Sequence, residues 1–551
     1  MGVFEVLRFG LRRAGLGLAD QAVTNPLFSW TWSGAGTTRF VARLAEFRPA
    51  DAQSVLEMMD GQYLLASRMV ETGGASPFGV DTDADAWFAD LHSFGWLRHF
   101  SALTDPGQRS FARTLVLDWI GRYGQFDHDA WEPFITARRV LNWLKSLALL
   151  EEGATPDQTR AIARTLSVQI QSLKVRSPLA HDPIVRLMVE TALTGAALSE
   201  AEDSRDLASH VRKLEALLGA ALDADGLVRN RNPFSQIQLL TELIPVNHAL
   251  GQRHGSLSAG LGRRIETMHR ALEKLVLGTR EPVFANGSGQ LPVEIVLAVA
   301  AQSGVRASGS GLCGGYGILV DGPGKLVADS GLVPPLAFAR DAHAGALSFE
   351  YACGSTLVVG NCGPAPGALA ESRALFRHSS AHSAPTIEDH SSARIGTGGL
   401  AGEALRPFSG PPPRLALHEA ENSLELATSA YRKRYGLDIE RRLTLMGDGR
   451  TLVGQDRFVA TDAAAREQGR FSIRFHLAPG CEVERTDDGD MIRLLHRNGE
   501  VWAFLWEGAE ADIDDSVRHS AHFGLHRTRQ IVLSGPARPN AEIAWVFTQQ
   551  S

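Results

Sequence analysis

The pattern of apolar residues changes near Gly309. Before this point, as in residues 129–149, apolar side chains recur at steps of three and four, which is typical of helices with one buried face. After it, short alternating or apolar runs are separated by Gly, Asp and Asn, which is typical of antiparallel strands. A chain of 551 residues is also too long for one hydrophobic core. We therefore predict a helical domain over residues 1–308 and an antiparallel β domain of stacked sheets over residues 309–551.

Short local motifs support this division. Four motifs in the first half are typical of helix starts, because a Ser, Thr, Asp or Asn cap can be paired with an acid or amide three residues later, or followed by proline. They are Asp129 with Glu132, Thr155 with Gln158, Ser199 with Glu202, and Asn232 with Pro233. In the second half, Asp448-Gly449 and Asn498-Gly499 are typical of hairpin turns. Closely spaced helices of this kind suggest stacked helical hairpins.

The composition argues against several classes of protein. With 44% apolar and 21% charged residues, the chain resembles an ordinary globular protein. A net charge of −7 argues against a nucleic-acid partner, because nucleic-acid-binding proteins usually carry a basic stripe. No apolar run is long enough for a transmembrane helix, and arginines interrupt the N-terminal apolar residues, so no cleavable export signal is predicted. The cysteine spacings match neither a zinc ribbon nor a redox motif, and we predict free, buried thiols at Cys313, Cys353, Cys362 and Cys481.

A basic turn precedes one of the predicted helices. Arg229 and Arg231 flank Asn230, and the helix start at Asn232 follows directly. Because a helix N-terminus already favours negative charge, two guanidinium groups beside it could clamp a carboxylate or a sulfate. The alternative is a solvated basic turn with a helix cap.

Several histidines in the β half are candidates for chemistry. His343 precedes a strand pattern, where it could act as a proton carrier or ligand at a groove, or serve only as a hydrogen-bonded structural residue. His378, His382 and His390 lie in the segment 376–396, but its Ser, Pro and Gly residues argue against a helix that would gather them. One of the three meeting His343 across a sheet is a better metal-site hypothesis, because metal sites in β proteins take ligands from separate strands.

Segments in both halves, taken in order, resemble the heparinase II/III-like polysaccharide lyases. The segments are LHSFGWLRHF (91–100), WEPFITARRVLNWL (131–144), DGLVRNRNP (225–233), AHAGALSFE (342–350), SSAHSAPTIED (379–389), YRKRYGLDIERRLTL (431–445), DGRTLVGQDRF (448–458) and FSIRFHLAPG (471–480). The resemblance implies a multidomain α+β protein, with an N-terminal (α/α) toroid followed by a C-terminal antiparallel β-sandwich. It also implies a location in the cell envelope or periplasm, with the cytoplasm as the alternative.

The activity that the resemblance implies is β-elimination on an anionic polysaccharide that contains uronic acid. Such a reaction needs a group that neutralises the uronate carboxylate, a base for the C5 proton and an acid for the departing oxygen. Arg231 is the candidate for the first task, and Tyr316 and His343 are candidates for the other two. Further candidate substrate-binding residues are Arg229, Asn230, Asn286 and Arg138. Two alternatives are a diverged protein that binds an anionic glycan without cleaving it, and a different reaction at a rebuilt site that uses His343 and Tyr316.

The resemblance also implies a possible structural zinc ion, although no cofactor is required for the reaction. The family's metal ligands match His343, Asn361 and His382, with Asn361 in place of an aspartate. The family's DGGHFERSPMYH pattern is DGLVRNRNPFSQ here, so that Val228 replaces a histidine and Ser235-Gln236 replaces a Tyr-His pair.

Overall fold

The computed structural model describes residues 3–34, 36, 39–82, 85–202, 204–289, 291–306, 309–365, 372–462, 468–520 and 524–550. Helices dominate the first half of this part of the chain. They are α1 (Val3–Thr24), α2 (Pro26–Ser29), α3 (Ala52–Met59), α4 (Asp85–Ser93), α5 (Pro106–Tyr123), α6 (Pro133–Lys145), α7 (Leu147–Glu151), α8 (Pro156–Arg176), α9 (Pro183–Ser199), α10 (Leu207–Ala221), α11 (Pro233–Arg253), α12 (Gly255–Leu275) and α13 (Val293–Ala301). Two short helices, α14 (Arg373–Phe376) and α15 (Arg432–Tyr435), lie in the second half.

The helices pack as the predicted (α/α) toroid of helical hairpins. Sequence neighbours pair, as α11 does with α12 and α9 with α10, and α6 packs between α4, α8 and α9. Their inward faces form one apolar core that includes the fully buried rings of Trp87, Trp119, Trp131 and Trp143. Burial of these large rings holds the hairpins together, since each helix buries only one stripe of its surface.

The strands are almost all in the second half. They are β1 (Gln62–Leu65), β2 (Arg68–Glu71), β3 (Gly311–Cys313), β4 (Tyr316–Asp321), β5 (Gly324–Asp329), β6 (Phe349–Cys353), β7 (Thr356–Val359), β8 (Pro385–Ile387), β9 (Ala393–Arg394), β10 (Arg406–Pro407), β11 (Arg414–His418), β12 (Ser423–Thr428), β13 (Leu437–Met446), β14 (Thr451–Ala460), β15 (Arg470–His476), β16 (Glu482–Arg485), β17 (Ile492–Leu495), β18 (Val501–Glu507), β19 (Glu510–Ser520), β20 (Gly524–Pro536) and β21 (Ala541–Gln549). The hairpin of β1 and β2 stands inside the half that was predicted to be helical.

Three antiparallel sheets form the predicted sandwich. Their strand orders are β3-β4-β5-β6-β7, β11-β12-β13-β14-β21-β18-β17-β16 and β19-β20-β15-β8. One apolar cluster takes side chains from all three sheets, including Leu319, Leu443 and Phe475. Strand β13 alternates between buried and partly exposed residues along most of its length, as expected for a strand with one face on a core.

The turn predictions in the β half are confirmed. Asp448 and Gly449 connect β13 to β14 with φ angles of 54° and 67°, a left-handed conformation that Asp and Gly adopt more easily than most residues. Asn498 and Gly499 connect β17 to β18. All four cysteines are free and buried, as predicted.

Two of the four predicted helix starts are confirmed. Thr155 and Gln158 form a capping box at α8, and Asn232 caps α11 by accepting from the backbone N–H of Phe234 at 2.9 Å.

The other two predicted starts are wrong. Helix α6 begins at Pro133, and its cap is Glu132 instead of Asp129, because proline fits the first helical position and the Glu132 carboxylate accepts the next two N–H groups. Ser199 ends a helix instead of starting one, because the buried side of α9 continues through Leu198, and the next helix begins only at Leu207.

Helix α1 lies on the surface with one face against the body of the protein. Gly10 packs against Leu400, and Asp20 pairs with the buried Arg176 at 2.8 Å. The opposite face exposes Phe4, Leu11 and Leu18, which are 88%, 62% and 68% accessible. Within the described residues, neither α1 nor any other helix combines the length and apolar character needed to cross a membrane.

Candidate functional site

Five of the predicted site residues meet in one hydrogen-bonded network where the toroid joins the sandwich. The Tyr316 hydroxyl donates to the Arg231 carbonyl at 2.6 Å and accepts from the Asn286 amide at 2.7 Å. The Asn286 carbonyl oxygen accepts from the backbone N–H of His343 at 3.3 Å. The His343 ring in turn lies 3.1 Å from the His382 ring, between Nδ1 and Nε2. We call this set the junction network.

Arg231 is an interdomain anchor within this network. Its guanidinium pairs with Asp329 of β5 at 2.7 Å, donates to the carbonyls of Gly314 and Leu332, and lies 4.3 Å from the Tyr316 ring centroid. The residue belongs to the loop before α11, so these contacts tie the toroid to the sandwich. It is only 3% exposed, and its φ of 57° shows that the turn holds an unfavourable conformation to place it there.

The titratable groups of the junction network are held in their neutral forms. Burial raises the pKa of Tyr316 well above its usual value, so the phenol does not become a base near neutral pH. Burial, together with the neighbouring His382, lowers the pKa of His343 well below its usual value. The ring of His382 hydrogen-bonds to the His378 carbonyl through Nδ1, which leaves Nε2 as the acceptor toward His343. Apart from the Arg231–Asp329 ion pair, the side chains of the network are therefore uncharged and hydrogen-bond mainly to one another.

The predicted zinc ligands do not fit a zinc ion. Zinc needs a free lone pair from each histidine, but Nε2 of His382 already accepts from Nδ1 of His343, so that only His343 keeps a free lone pair, on its Nε2. The Asn361 side chain accepts from Ser383 at 2.8 Å and donates to the Phe284 carbonyl at 3.0 Å, so both of its polar atoms are engaged. In the part of the chain that the structure describes, no three His, Cys, Asp or Glu side chains are grouped for a metal.

The remaining candidates lie apart from the junction network. Arg229 is exposed, and its Nε donates to the Leu222 carbonyl at 3.2 Å. Arg138 of α6 pairs with Asp90 of α4 at 3.2 Å. Asn230 is half-buried, donates to the Ser235 hydroxyl at 2.9 Å, and lines a large cleft. Of the predicted residues, Asn230 is the one that reaches this cleft.

The cleft has a volume of about 1280 Å³ and runs across the N-terminal ends of α4, α6, α9 and α11. Arg340 and Asp341 of the β half close one side. Four aromatic side chains contribute to its walls: Phe78, Phe88, Tyr123 and Phe134. Its size and its position between the two domains are typical of a binding site for an extended ligand.

Negative charge dominates the lining of the cleft. Among the described residues it holds two guanidinium groups, those of Arg122 and Arg340, against six carboxylates. The carboxylates are those of Asp81, Asp85, Asp129, Glu132, Asp182 and Asp341. Burial raises the pKa of both Glu132 and Asp182. Each of these two caps a helix, Glu132 at α6 and Asp182 at α9, so the helix N-termini hold the carboxylates in place.

The sequence predictions missed these cleft residues, although a partial signal for them exists. Glu132, Asp182 and Asn232 are each followed by proline, and each of the three pairs begins an inner helix of the toroid. Glu132 and Asp182 line the cleft themselves, and beside the Asn232 cap the cleft is lined by Asn230 and Ser235. The same pairing of a polar cap with proline also begins α5 at Asp105 and α8 at Thr155, whose caps do not line the cleft, so the motif by itself does not locate this end.

Comparisons with known proteins agree with this architecture. Residues 304–546 match the family described as heparinase II/III-like, C-terminal. The chain is 28% identical to FtsZ-localized protein C of Caulobacter vibrioides over 548 residues, which covers 94% of this chain and 93% of that protein.

Solved structures show the same fold. A crystal structure of heparinase III matches with a TM-score of 0.70 at 11% identity, covering 99% of this chain and 92% of that one. A mutant of heparan sulfate lyase HepC from Pedobacter heparinus matches with a TM-score of 0.60 at 13% identity, covering 93% and 86%. The chain thus has the toroid and sandwich fold of heparinase III, and its residues 304–546 are similar to the heparinase II/III-like C-terminal family.

Proposed function

We propose that the protein holds a glycan in the cleft without eliminating across a uronate linkage. The observation that carries the proposal is the position of Tyr316, Arg231 and His343, which are buried in the junction network and do not line the cleft. A base for elimination must come within hydrogen-bonding reach of the substrate proton. In this arrangement the three candidate residues stabilise the domain junction, and the cleft is left for binding.

The chemistry of the cleft favours a neutral glycan over a polyuronate. Six carboxylates facing two guanidinium groups would repel a chain of like charge, whereas carboxylate oxygens accept hydrogen bonds from sugar hydroxyls. The rings of Phe88, Tyr123 and Phe134 supply apolar faces for the sugar rings. The anionic polysaccharide implied by the resemblance is the alternative that the experiment below must separate from this one.

The test is to offer the protein a panel of neutral and uronic-acid polysaccharides and to measure both binding and product. We expect binding of a neutral glycan, and no ultraviolet absorbance from an unsaturated product with any glycan. Replacing Phe134→Ala should weaken binding by about tenfold, equivalent to about 1.4 kcal/mol. The matched control Leu297→Ala, at a half-exposed position of α13 outside the cleft, should bind as the unchanged protein does.

The opposite result is equally clear. Formation of an unsaturated uronate product that is lost in Tyr316→Phe would restore the lyase hypothesis and reject the binding proposal. Lack of binding to every glycan in the panel would also reject it.

A second candidate function is attachment to the membrane surface at the site of cell division, and the exposed face of α1 favours it. The relative from Caulobacter vibrioides is named for its localisation with FtsZ. In the present chain, Phe4, Leu7, Leu11 and Leu18 follow helical spacing along one exposed face of α1. Arg8 and Arg12 are exposed beside that face. Apolar residues flanked by arginines are typical of helices that lie on an anionic membrane surface.

Sedimentation with lipid vesicles tests this attachment. The full chain should sediment with phosphatidylglycerol vesicles and less with phosphatidylcholine vesicles. The variant Phe4→Ser with Leu11→Ser should reduce the bound fraction by at least about tenfold, because each buried apolar side chain contributes about 1.5–3 kcal/mol. Leu297→Ser is the matched control and should sediment normally. Unchanged sedimentation of the double variant would contradict the proposal, and binding of α1 to FtsZ polymers without vesicles would assign the face to a protein partner instead.

A further inference from the structure

A second pocket lies at the junction, and it shares no lining residue with the cleft. Its volume is about 400 Å³, and it is bounded by the loop after α12, the turn between β17 and β18, and the ends of β19 and β20. Its charged and titratable lining residues are Glu281, His496, Arg497, Arg518, His519 and His526. Neither the sequence motifs nor the proposed glycan cleft accounts for this group.

The pocket gathers positive and protonatable groups around a single carboxylate. Arg497 is exposed, and its guanidinium has no hydrogen bond or ion pair with any residue that the structure describes. Its guanidinium lies against Gly480, where an added Cβ would lie 2.0 Å from Nε. The guanidinium thus lies at the pocket with no counterion among the described residues.

Arg518 forms a rigid wall of the pocket. It is 6% exposed, and its Nη1 donates to Glu350 at 3.0 Å and to the Asn361 carbonyl at 2.7 Å. Its guanidinium carbon stacks 3.8 Å from the Phe284 ring centroid, while Nη2 lies 4.0 Å from Glu281. A guanidinium fixed on three sides in this way is preorganised for a ligand on the open side.

The histidines add an unsatisfied polar atom. Nδ1 of His519 is buried without a hydrogen-bond partner in the described structure. Burial lowers the pKa of the His519 ring, and the neighbouring His526 lowers it further. A buried polar atom without a partner is rare and calls for an explanation, and an anion in the pocket would both accept its hydrogen bond and relieve the repulsion between the two rings.

We propose that this pocket binds a tetrahedral oxyanion, a sulfate or phosphate group, between Arg497, Arg518 and His519. The group could be a free ion or an ester on a sugar, because the same donors recognise both. The site is independent of the cleft, and the proposal does not rest on glycan binding there.

Calorimetry with inorganic sulfate provides the test, because sulfate keeps its double charge throughout the pH range of the experiment. Affinity should rise by at least about tenfold as the pH falls from about 8 to about 5, because burial lowers the pKa of His519 below the ordinary histidine value of about 6.5. The sign follows from linkage, because bound sulfate stabilises the protonated rings of His496 and His519, and these rings become protonated as the pH falls. Glu281 faces the same pocket and Glu350 pairs with Arg518, so these two carboxylates offset part of the positive charge, and the gain in affinity at low pH comes from the histidine rings.

Two variants and one control locate the site. Arg497→Gln should weaken sulfate binding by about tenfold or more, the effect of losing one charge-assisted hydrogen bond. His519→Asn should remove most of the pH dependence. Arg493→Gln is the matched control, since Arg493 is an exposed arginine of β17 that pairs with Glu484 outside the pocket, and it should leave binding unchanged.

Each outcome decides the proposal. Absence of sulfate binding, or binding that Arg497→Gln leaves unchanged, overturns the site. Equal affinity at the two pH values overturns the part assigned to the histidines. With a sulfated monosaccharide as a second probe, tighter binding than inorganic sulfate identifies a sugar ester as the ligand, and equal binding identifies the free oxyanion.

Discussion

Replacing Arg441→Met should lower the free energy of unfolding by about 3–5 kcal/mol, because it leaves a buried carboxylate without its partner. Arg441 of β13 and Asp456 of β14 are fully buried and joined by two hydrogen bonds of 2.7 and 2.9 Å. Arg441 also donates to the Leu347 and Ser383 carbonyls, which connects two strands of the large sheet to loops of the rest of the sandwich.

Urea denaturation monitored by tryptophan fluorescence measures this loss. The neighbouring variant Arg442→Met is the matched control, because Arg442 lies on the same strand but is only partly buried, and its ion pairs to Glu421 and Glu425 are at the surface. Arg442→Met should lower the free energy of unfolding by no more than about 1 kcal/mol. Equal effects of the two variants would show that the buried pair does not contribute beyond an ordinary surface interaction.

Replacing Arg231→Met should also lower the free energy of unfolding by about 3–5 kcal/mol. The two domains should then unfold in separate transitions. The variant leaves Asp329 buried without its partner and removes the contacts to Gly314 and Leu332 that join the toroid to the sandwich. In a calorimetric scan, we expect one unfolding peak of the unchanged protein to become two. Arg229→Met, at the exposed arginine two residues earlier, should retain the single peak.

This experiment also separates the two roles considered for Arg231. If the residue is an interdomain anchor, the melting behaviour changes while glycan binding at the cleft is retained at low temperature. If Arg231→Met melts like the unchanged protein and loses glycan binding, the residue is a substrate ligand, as the resemblance implies.

Much of the architecture follows from local patterns in the sequence. The spacing of apolar residues predicted a helical first half and a β second half, since a helix buries every third or fourth residue and a strand buries alternate residues. The turn at Asp448-Gly449 and the cap at Thr155 depend on neighbours close in sequence, and both were predicted correctly. The start at Ser199 was wrong because long-range burial of α9 overrides a local capping signal.

The chemistry of the candidate site could not be predicted from the sequence. The resemblance selected Arg231, Asn286, Tyr316, His343 and His382, and the structure brings all five into one network. Their surroundings decide their chemistry, and those surroundings come from residues far away in sequence, such as Asp329, which lies 98 positions from Arg231. Burial and pairing turn potential acid, base and anion-binding groups into a neutral junction.

The sequence by itself determined the two-domain organisation, the strand turns, two helix caps and the family resemblance. Only the tertiary structure decided which polar groups face the cleft, because Glu132 and Asp182 converge there through the packing of separate helices. It also decided that His343 and His382 are hydrogen-bonded to each other, and that Arg497 and Arg518 line the same second pocket. The physical reason is that secondary structure depends on near neighbours, whereas desolvation and electrostatic fields depend on everything packed around a group.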